Sequence, residues 1–429
     1  MAGCASPAVQ PPAPRSPPSP PPPIDAPSPQ PPYPQSPTAQ TSAPVTPPVV
    51  SGDMAFDAWA AEFYTRAVKA GLPPALVSRE MAGLTPDPRV MTRDSRQPEF
   101  SQPISVYIAG AVAPGAIAMG ARKGSEFAAF DAIEQRYGVP RAILLGVWAR
   151  ESGFGAIQGD FDVIRAMASL AAQGRRRDWA EGELIAALKI IASGEATRSQ
   201  LKGSWAGAMG QTQFTPSSYL SLAVDGDGDR RRDIWGSPAD ALASAANLLA
   251  KGGWTAGQSW AREVAVPADF DFSLSEGPKE TPGWWADRGV VRADGLAWSD
   301  ADRTAPAQLL APAGAGGPVF LLFPNHFAIR RYNNSVAYAL AVGLLADRIA
   351  GGGPLARPWP VETPLSLTDR MTAQRALIAL GFSPGAPDGV VGMGTRTALR
   401  TWQKARGITA DGYLSPAMVQ RLKAESGAS

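Results

Sequence analysis

The chain has 429 residues, 45% of them hydrophobic and 18% charged, which is enough to bury the cores of roughly two or three domains. Its formal net charge is +2 and its longest basic runs are three arginines, so we predict no nucleic-acid partner. A single cysteine, Cys4, and a single histidine, His326, exclude an intrachain disulfide and argue against a Cys/His metal cluster. A Ser-His-Asp mechanism would depend on His326, but no nucleophile-elbow motif accompanies it, so we interpret His326 as a loop or core residue.

The N-terminal segment, residues 1–50, is dominated by proline with serine, alanine and glutamine, which predicts an extended, disordered tether. A proline-rich ligand for another protein is the alternative. The small residues before Cys4 resemble the end of a bacterial lipoprotein signal, although its basic start and apolar stretch are missing. We therefore predict that Cys4 carries a lipid and that the natural start lies further upstream; a chance cysteine is the alternative. No apolar run reaches about 18 residues, so we predict no membrane-spanning helix.

From residue 51 onwards the sequence is typical of a mainly α-helical protein. Trp59, Phe63 and Ala67 recur at helical spacing, and apolar helical stretches then alternate with glycine-rich loops. Few runs alternate between apolar and polar residues as strands do. We predict three parts: a helical domain (51–350), a linker that begins with three glycines and a proline (351–364), and a compact module (365–425).

A predicted helix that follows Pro140 carries a carboxylate at its end. Leu144, Val147 and Trp148 form an apolar stripe that Glu151 continues, and a glycine-rich segment follows directly. Burial beside this stripe and the partial negative charge at a helix C-terminus should both raise the pKa of Glu151. A carboxyl group in such a place stays protonated near neutral pH and can donate its proton to a glycosidic oxygen. The alternative is a solvated glutamate at a helix end.

Three blocks resemble segments of the membrane-bound lytic murein transglycosylase B family. They are ESGFG at 151–155 with its continuation to residue 171, LKGSWAGAMGQTQFTPSSY at 201–219, and RYNNSVAY at 331–338. They occur in the family's order, and the resemblance extends roughly over residues 55 to 350. It implies a lysozyme-like, α-rich catalytic domain with a deep saccharide cleft.

The resemblance also implies the reaction and the role of Glu151. In this family a single glutamate protonates the β-1,4 bond between N-acetylmuramic acid and N-acetylglucosamine. It then takes the proton of the muramyl C6 hydroxyl, which attacks C1 and leaves a 1,6-anhydro end, so the chemistry requires no cofactor. A hydrolytic muramidase on the same fold would need a second carboxylate about 5 to 10 Å away, and the sequence nominates none. An inactive wall-binding scaffold is the other alternative.

The block at 201–219 contains candidate substrate-binding residues. Its glycines permit close approach of the backbone to a ligand, and Ser204 and Gln213 can direct hydrogen bonds to sugar hydroxyl or acetamido groups. A structural turn in which Gln213 caps backbone groups is the alternative. The resemblance implies further cleft residues, which are Tyr332, Asn333 and Tyr338, with Tyr107 on a looser local match.

The segment 225–236 fits the pattern of a calcium-binding loop. Acidic residues stand at loop positions 1, 3, 5 and 9 with glycines between them, and Ca²⁺ binds about six to eight oxygen atoms. Position 12, usually glutamate, is Gly236, and the resemblance implies that a later aspartate replaces it. The expected ligands of this structural ion are Asp225, Asp227, Asp229, the carbonyl of Arg231, and Asp240. An aspartate-rich turn without a metal is the alternative.

The module at 365–425 resembles the peptidoglycan-binding domain type 1, a three-helix unit. Two Asp-Gly turns bound a predicted helix from 395 to 405, on which Ala398, Leu399 and Trp402 share one face. A second wall-binding site would raise the effective concentration of the first at its substrate.

Together the resemblances imply glycan strands of peptidoglycan as the partner and the periplasm of a Gram-negative bacterium as the location. The outer membrane would be reached only through a lipid on Cys4. Proteins of wall synthesis or cell division are further candidate partners, and we expect a monomer.

Overall fold

The mainly α-helical class predicted from the sequence is confirmed. The computed structural model describes residues 51–95 and 102–427. A short ladder pairs β1 (Phe161–Asp162) with β2 (Lys202–Gly203) among the first helices. These helices are α1 (Met54–Lys69), α2 (Pro74–Met81), α3 (Pro88–Ser95), α4 (Ile104–Ala111), α5 (Pro114–Glu126), α6 (Phe130–Tyr137), α7 (Arg141–Ser152), α8 (Val163–Gln173), α9 (Arg177–Ala192), α10 (Pro216–Leu222) and α11 (Pro238–Lys251).

A five-stranded antiparallel sheet follows, in the order β4-β6-β7-β3-β5. The sequence does not predict it, because β7 is buried along its whole length and reads as a continuous apolar run, which periodicity alone cannot distinguish from a buried helix. The strands are β3 (Ala261–Ala265), β4 (Lys279–Glu280), β5 (Val291–Arg292), β6 (Ala307–Leu310) and β7 (Val319–Leu322), with the short helices α12 (Pro282–Ala286) and α13 (Asp300–Arg303) between them.

Two helices return the chain from the sheet to the helical core, and three more form the C-terminal module. The first two are α14 (Pro324–Tyr332) and α15 (Val336–Ile349), and the module has α16 (Leu367–Ala379), α17 (Met393–Ala405) and α18 (Pro416–Ser426). In the module Ala398, Leu399 and Trp402 are buried together, as their spacing predicts.

Helix α7 lies at the centre of the core. Its residues from Ile143 to Trp148 are all buried, because α5 and α15 pack closely against it. Gly146 permits this packing, since a Cβ atom there would lie 2.6 Å from the carbonyl oxygen of Val342 in α15. The middle of the helix that carries Glu151 is therefore buried on all sides rather than along a single stripe.

The module is fixed to the rest of the chain by a partly buried cluster of three charged side chains. Both carboxylate oxygens of Glu276 bind guanidinium groups, those of Arg396 at 2.6 Å and of Arg400 at 2.7 Å. Burial alone would raise the pKa of Glu276, but Arg396 and then Arg400 outweigh it and hold the pKa below its ordinary value. Between α15 and α16 the linker is held by Glu263, which accepts hydrogen bonds from the backbone of Ala356 and Arg357.

None of the described helices by itself combines the length and the apolar character that a membrane span requires. The bent pair formed by α4 and α5 has both only when its two helices are taken together. The predicted tether at 1–50 and the predicted lipidation of Cys4 lie outside the described residues.

Candidate active site

The end of α7 presents Glu151 at the surface of the core. Pro140 precedes the helix in an extended conformation, and Gly153 ends it with a φ of 58°, as the sequence predicts. Glu151 lies in the last turn and is half-buried, although its neighbours Trp148 and Ser152 are buried. The carboxylate can therefore contact both protein groups and a ligand.

Tyr338 and Tyr332, both predicted site residues, lie together at Glu151. The hydroxyl of Tyr338, from α15, donates a hydrogen bond to Oε1 of Glu151. Its ring stacks on that of Tyr332 with centroids 6.4 Å apart, and the Tyr332 hydroxyl donates to the carbonyl of Thr212. Burial, and then the charge of Glu151, raise the pKa of both tyrosines well above the ordinary value, so both phenols remain hydrogen-bond donors.

Gln211, a residue of the 201–219 block without a predicted role, fixes the end of α7. It is 5% exposed; its Oε1 accepts a hydrogen bond from the indole of Trp148 at 3.2 Å, and its Nε2 donates to the carbonyl of Trp235 at 3.1 Å. Its own carbonyl accepts the hydroxyl of Ser152 at 2.5 Å. The residues before and after Glu151 in α7 thus share one buried partner.

The turn after α7 packs against the same glutamine. Gly155 has a φ of 87°, and a Cβ atom there would lie 2.6 Å from Oε1 of Gln211. Its N–H donates to the hydroxyl of Ser152 at 2.9 Å. This position therefore requires glycine both for its backbone conformation and for space.

Ser204 and Gln213 both make hydrogen bonds to the backbone of the 201–219 block. The Ser204 hydroxyl accepts from the N–H groups of Ala206 and Ala208, at 3.3 and 3.1 Å. Gln213 has a φ of 51°, and its Nε2 donates to the carbonyls of Gln158 and Gly210 at 3.0 and 2.9 Å. These contacts are those of a structural turn, and the Gln213 side chain remains half-buried. Substrate contact by the two residues stays a prediction.

Tyr107 contacts Arg150, the neighbour of Glu151 in α7, for which the sequence predicts no role. The Arg150 guanidinium donates to the Tyr107 hydroxyl at 3.0 Å and lies 4.9 Å from its ring centroid. Electrostatic repulsion from Tyr107 makes the smallest of the contributions that raise the pKa of Tyr338. Asn333 is exposed just after α14, and no side-chain contact to the other site residues accompanies it within the described chain.

The acidic loop brings three of its five predicted ligands together. One carboxylate oxygen each of Asp225, Asp227 and Asp229 lies within 4.8 Å of the others. Asp240 is fully buried and is not one of these three; its two oxygens accept the N–H groups of Gly226 and Asp233, both at 2.7 Å. Burial raises the pKa of Asp240, and these backbone donors oppose the rise. Arg231 is exposed, and its N–H donates to Asp229.

His326 is a core residue, as interpreted from the sequence. It is fully buried in α14, stacked on Trp260, and neither ring nitrogen has a hydrogen-bond partner in the described structure. Burial, with a smaller effect from Arg330, lowers its pKa to about 3. A histidine that stays neutral inside the core has no part in proton transfer at the cleft.

The chain matches two family models. The transglycosylase SLT domain matches residues 55–347, and a peptidoglycan binding domain matches residues 366–422. Membrane-bound lytic murein transglycosylase B of Escherichia coli (strain K12) is 34% identical over 220 residues, which are 50% of this chain and 58% of that protein. The match thus spans less than two thirds of this curated relative.

Solved structures of similar chains agree with these family matches. SltB3 from Pseudomonas aeruginosa in complex with NAG-anhNAM-pentapeptide is 44% identical, with a TM-score of 0.82 over 86% of this chain and 100% of that chain. Escherichia coli Slt35 in complex with calcium is 28% identical, with a TM-score of 0.58 over 68% of this chain and 92% of that chain.

Proposed function

The chain belongs to the transglycosylase SLT domain family, and from this premise we propose that it is a lytic transglycosylase of peptidoglycan. The proposed reaction cleaves the β-1,4 bond between N-acetylmuramic acid and N-acetylglucosamine and leaves 1,6-anhydromuramic acid ends. The observation that carries the proposal is the carboxyl group of Glu151, held by Tyr338 at the end of a buried helix. Two crystal structures of the Pseudomonas aeruginosa relative SltB3 contain NAG-anhNAM-pentapeptide and NAG-NAM-pentapeptide, respectively.

Glu151 acts first as a general acid. Because Tyr338 donates to Oε1, the proton that leaves is carried by Oε2. Its transfer to the glycosidic oxygen releases the N-acetylglucosamine end and leaves an oxocarbenium-like muramyl ring. The carboxylate that forms is stabilised by the hydroxyl of Tyr338, whose raised pKa keeps it a donor.

The same carboxylate then acts as a general base. It takes the proton of the muramyl C6 hydroxyl, whose oxygen attacks C1 of the same ring, and Glu151 is protonated again at the end of the cycle. The nucleophile belongs to the substrate, so one enzymic carboxylate is sufficient where a hydrolase needs two. An intramolecular hydroxyl also gains the rate advantage of proximity.

The surrounding residues form the saccharide cleft in this proposal. Ser204 and Gln213 contact sugar substituents from the turn that they also stabilise, and Tyr332 and Asn333 line the wall beside Tyr338. Tyr107, held by Arg150, supplies a further aromatic ring. Aromatic rings with a polar group suit the apolar faces and hydroxyl edges of pyranose rings.

The acidic loop is proposed to hold a structural calcium ion. Three carboxylates within 4.8 Å of one another suit a hard cation that prefers oxygen ligands. Asp225, Asp227 and Asp229 would bind the ion directly with the carbonyl of Arg231, while Asp240 also holds the backbone of the loop. Such an ion would stabilise the segment that ends at Trp235, the partner of Gln211, and takes no part in bond cleavage.

The cell wall in the periplasm of a Gram-negative bacterium is the proposed place of action. The curated relative carries "membrane-bound" in its name, and the C-terminal module matches a peptidoglycan binding domain. A lipid on Cys4, a monomeric state and partners from wall synthesis or cell division stay predictions.

Mass spectrometry of products released from purified peptidoglycan sacculi tests the function directly. We expect the purified chain to release 1,6-anhydromuramyl products and the Glu151→Gln variant to release none. The side chain of the variant has the same shape but cannot transfer a proton.

Two other outcomes would contradict the proposal. Reducing muramyl ends would identify a hydrolytic muramidase. Binding to sacculi without release of products would identify a wall-binding scaffold.

A further inference from the structure

A groove with a volume of 360 Å³ lies between the C-terminal module and the core. The core contributes Arg330, Asn334 and Val336 to its lining, and the module contributes Val390 and Val391. Much of the lining is aliphatic, and Val390 is 47% exposed. The groove is therefore an apolar channel in which a few polar groups decide what binds.

Arg330 is the distinctive polar group of this groove. Its guanidinium donates to Oδ1 of Asn334 at 2.7 Å, and its Nε is buried without a hydrogen-bond partner. No ion pair with Arg330 occurs in residues 51–95 or 102–427. A half-buried cation without a counter-ion is costly, and a carboxylate is the ligand that best offsets this cost.

The two acidic groups that line the groove are satisfied by other partners. Glu276 is bound by Arg396 and Arg400. Asp411 accepts the side-chain amide of Gln403 at 2.8 Å and the N–H of Ala315 at 3.0 Å. Neither acid pairs with Arg330, so its positive charge remains available to a ligand.

The groove also adjoins the proposed cleft. Residues 334–337, which line it, connect Tyr332 and Asn333 to Tyr338, the tyrosine bonded to Glu151. An extended peptide of five residues reaches at most about 17 Å. A peptide attached to a sugar in the cleft can therefore extend into the groove.

We propose that this groove binds the stem peptide of the substrate and that Arg330 pairs with a free carboxylate of that peptide. The aliphatic lining suits short side chains such as the methyl group of alanine, and Arg330 supplies the complementary charge. The inference rests on the proposed function and adds to it a preference for strands that carry peptides over bare glycan.

The test compares cleavage of one glycan preparation before and after an amidase removes its peptides. For Arg330→Met we expect kcat/KM on peptide-bearing strands to fall about tenfold, as for loss of one charge-assisted hydrogen bond. On bare strands the variant should match the parent. Arg330→Lys should recover part of the loss, because it keeps the charge but not the planar fork. The matched control is Arg331→Met, which removes an exposed charge next along α14.

A second variant keeps the proposal testable if Arg330→Met folds poorly. Val390→Glu adds a negative charge to the groove at an exposed module position, and should also slow cleavage of peptide-bearing strands alone. Equal loss on both substrates, or no loss on either, would overturn the inference and leave the proposed function intact. Failure of the parent to cleave either preparation would instead refute the proposed function.

Discussion

The buried amide of Gln211 accepts a hydrogen bond from the indole of Trp148, one helical turn before Glu151, at 3.2 Å. The same amide donates to the carbonyl of Trp235, and the Ser152 hydroxyl donates to the carbonyl of Gln211. Glu151 is thus flanked in α7 by two residues that bond Gln211, Trp148 to its side chain and Ser152 to its main-chain carbonyl. The direction of the carboxylate should be sensitive to this glutamine, although it does not contact the carboxylate itself.

Replacement of Gln211 by methionine should therefore lower kcat more than it raises KM. The volume is nearly conserved, but the Trp148 indole loses its acceptor and the Trp235 carbonyl loses one of its two donors, while that of Gln158 remains. Misplacement of a reacting group by about 1 Å can cost up to about a hundredfold in rate. We expect kcat on a soluble glycan oligomer to fall about tenfold or more.

The matched control is Gln374→Met in the module. Gln374 is equally buried and bridges Asp388, Gly389 and Thr395, so its loss should cost similar stability without changing kcat on the oligomer. Equal effects of the two variants on kcat would show that Gln211 acts only through stability.

Tyr338→Phe should change the pH dependence as well as the rate. The Tyr338 hydroxyl donates to the carboxylate of Glu151, which favours the charged form, so its removal should raise the pKa of Glu151. Catalysis begins from the protonated acid, and the alkaline limb of kcat/KM should therefore move to higher pH. A pH profile of product release measures this, and an unmoved limb would contradict the assigned role of Tyr338. Tyr219→Phe, at a buried tyrosine bonded to Glu195 and the Arg232 carbonyl, is the control.

Local patterns in the sequence predict the helices well but not the sheet. Trp59, Phe63 and Ala67 are buried as their spacing predicts, and Gly153 ends α7 in the left-handed conformation that glycine adopts readily. The strands have no such local pattern, because β4 and β5 have two residues each and β7 is apolar throughout. Their pairing depends on contacts that are distant in sequence.

The site residues also differ in whether the sequence predicts them. Glu151 is conspicuous as a carboxylate that follows an apolar stripe, and its partner Tyr338 was expected from a family resemblance. Gln211 and Arg150 gave no such signal, because their importance arises only when α7 packs against the 201–219 block and α4. A buried amide is recognised as a positioning group only when its partners are known.

Calcium should stabilise the chain through the acidic loop. We expect the melting temperature to rise by a few degrees between excess chelator and excess Ca²⁺, because an ion that binds only the folded state shifts the folding equilibrium. Asp225→Asn should abolish this shift, whereas Asp300→Asn, at an exposed acid of α13, should preserve it. A Ca²⁺-dependent shift that survives Asp225→Asn would place the ion elsewhere.

Glu276→Gln should loosen the module. Loss of its charge leaves Arg396 and Arg400 without their carboxylate. Because these side chains are only partly buried, we expect a cost below the about 3–5 kcal/mol of a fully buried pair. We expect faster proteolysis within the linker at 351–364, measured under native conditions. Because the pKa of Glu276 lies below its ordinary value, this stabilisation is present above the unfolded-state pKa and is lost as the pH falls through the folded-state value.

The control for this variant is Glu425→Gln, which breaks a more exposed pair with Arg406 inside the module. It should cost less stability than Glu276→Gln and leave proteolysis of the linker unchanged. If Glu276→Gln behaved in the same way, the contact would not hold the module.

Asp347 should make the stability of the core depend on pH. Burial raises its pKa to about 6, against the opposing effects of Arg262 and of the Trp260 indole, which donates to the carboxylate at 3.1 Å. The folded state therefore binds the proton more tightly than the unfolded chain does, and this group's contribution to stability decreases as the pH rises from about 4 to about 6. Asp347→Asn keeps an acceptor for Trp260 and removes the titration.

The free energy of unfolding, measured with urea at pH 4 and at pH 7.5, should show the difference. Relative to the parent, Asp347→Asn should be more stable by roughly 2 kcal/mol at pH 7.5 and by little at pH 4, since one pKa unit corresponds to about 1.4 kcal/mol. Asp300→Asn should show no such dependence, because that side chain is 95% exposed. A gain of equal size at both pH values would mean that the substitution acts through packing, and that Asp347 is already ionised in the folded protein at pH 4.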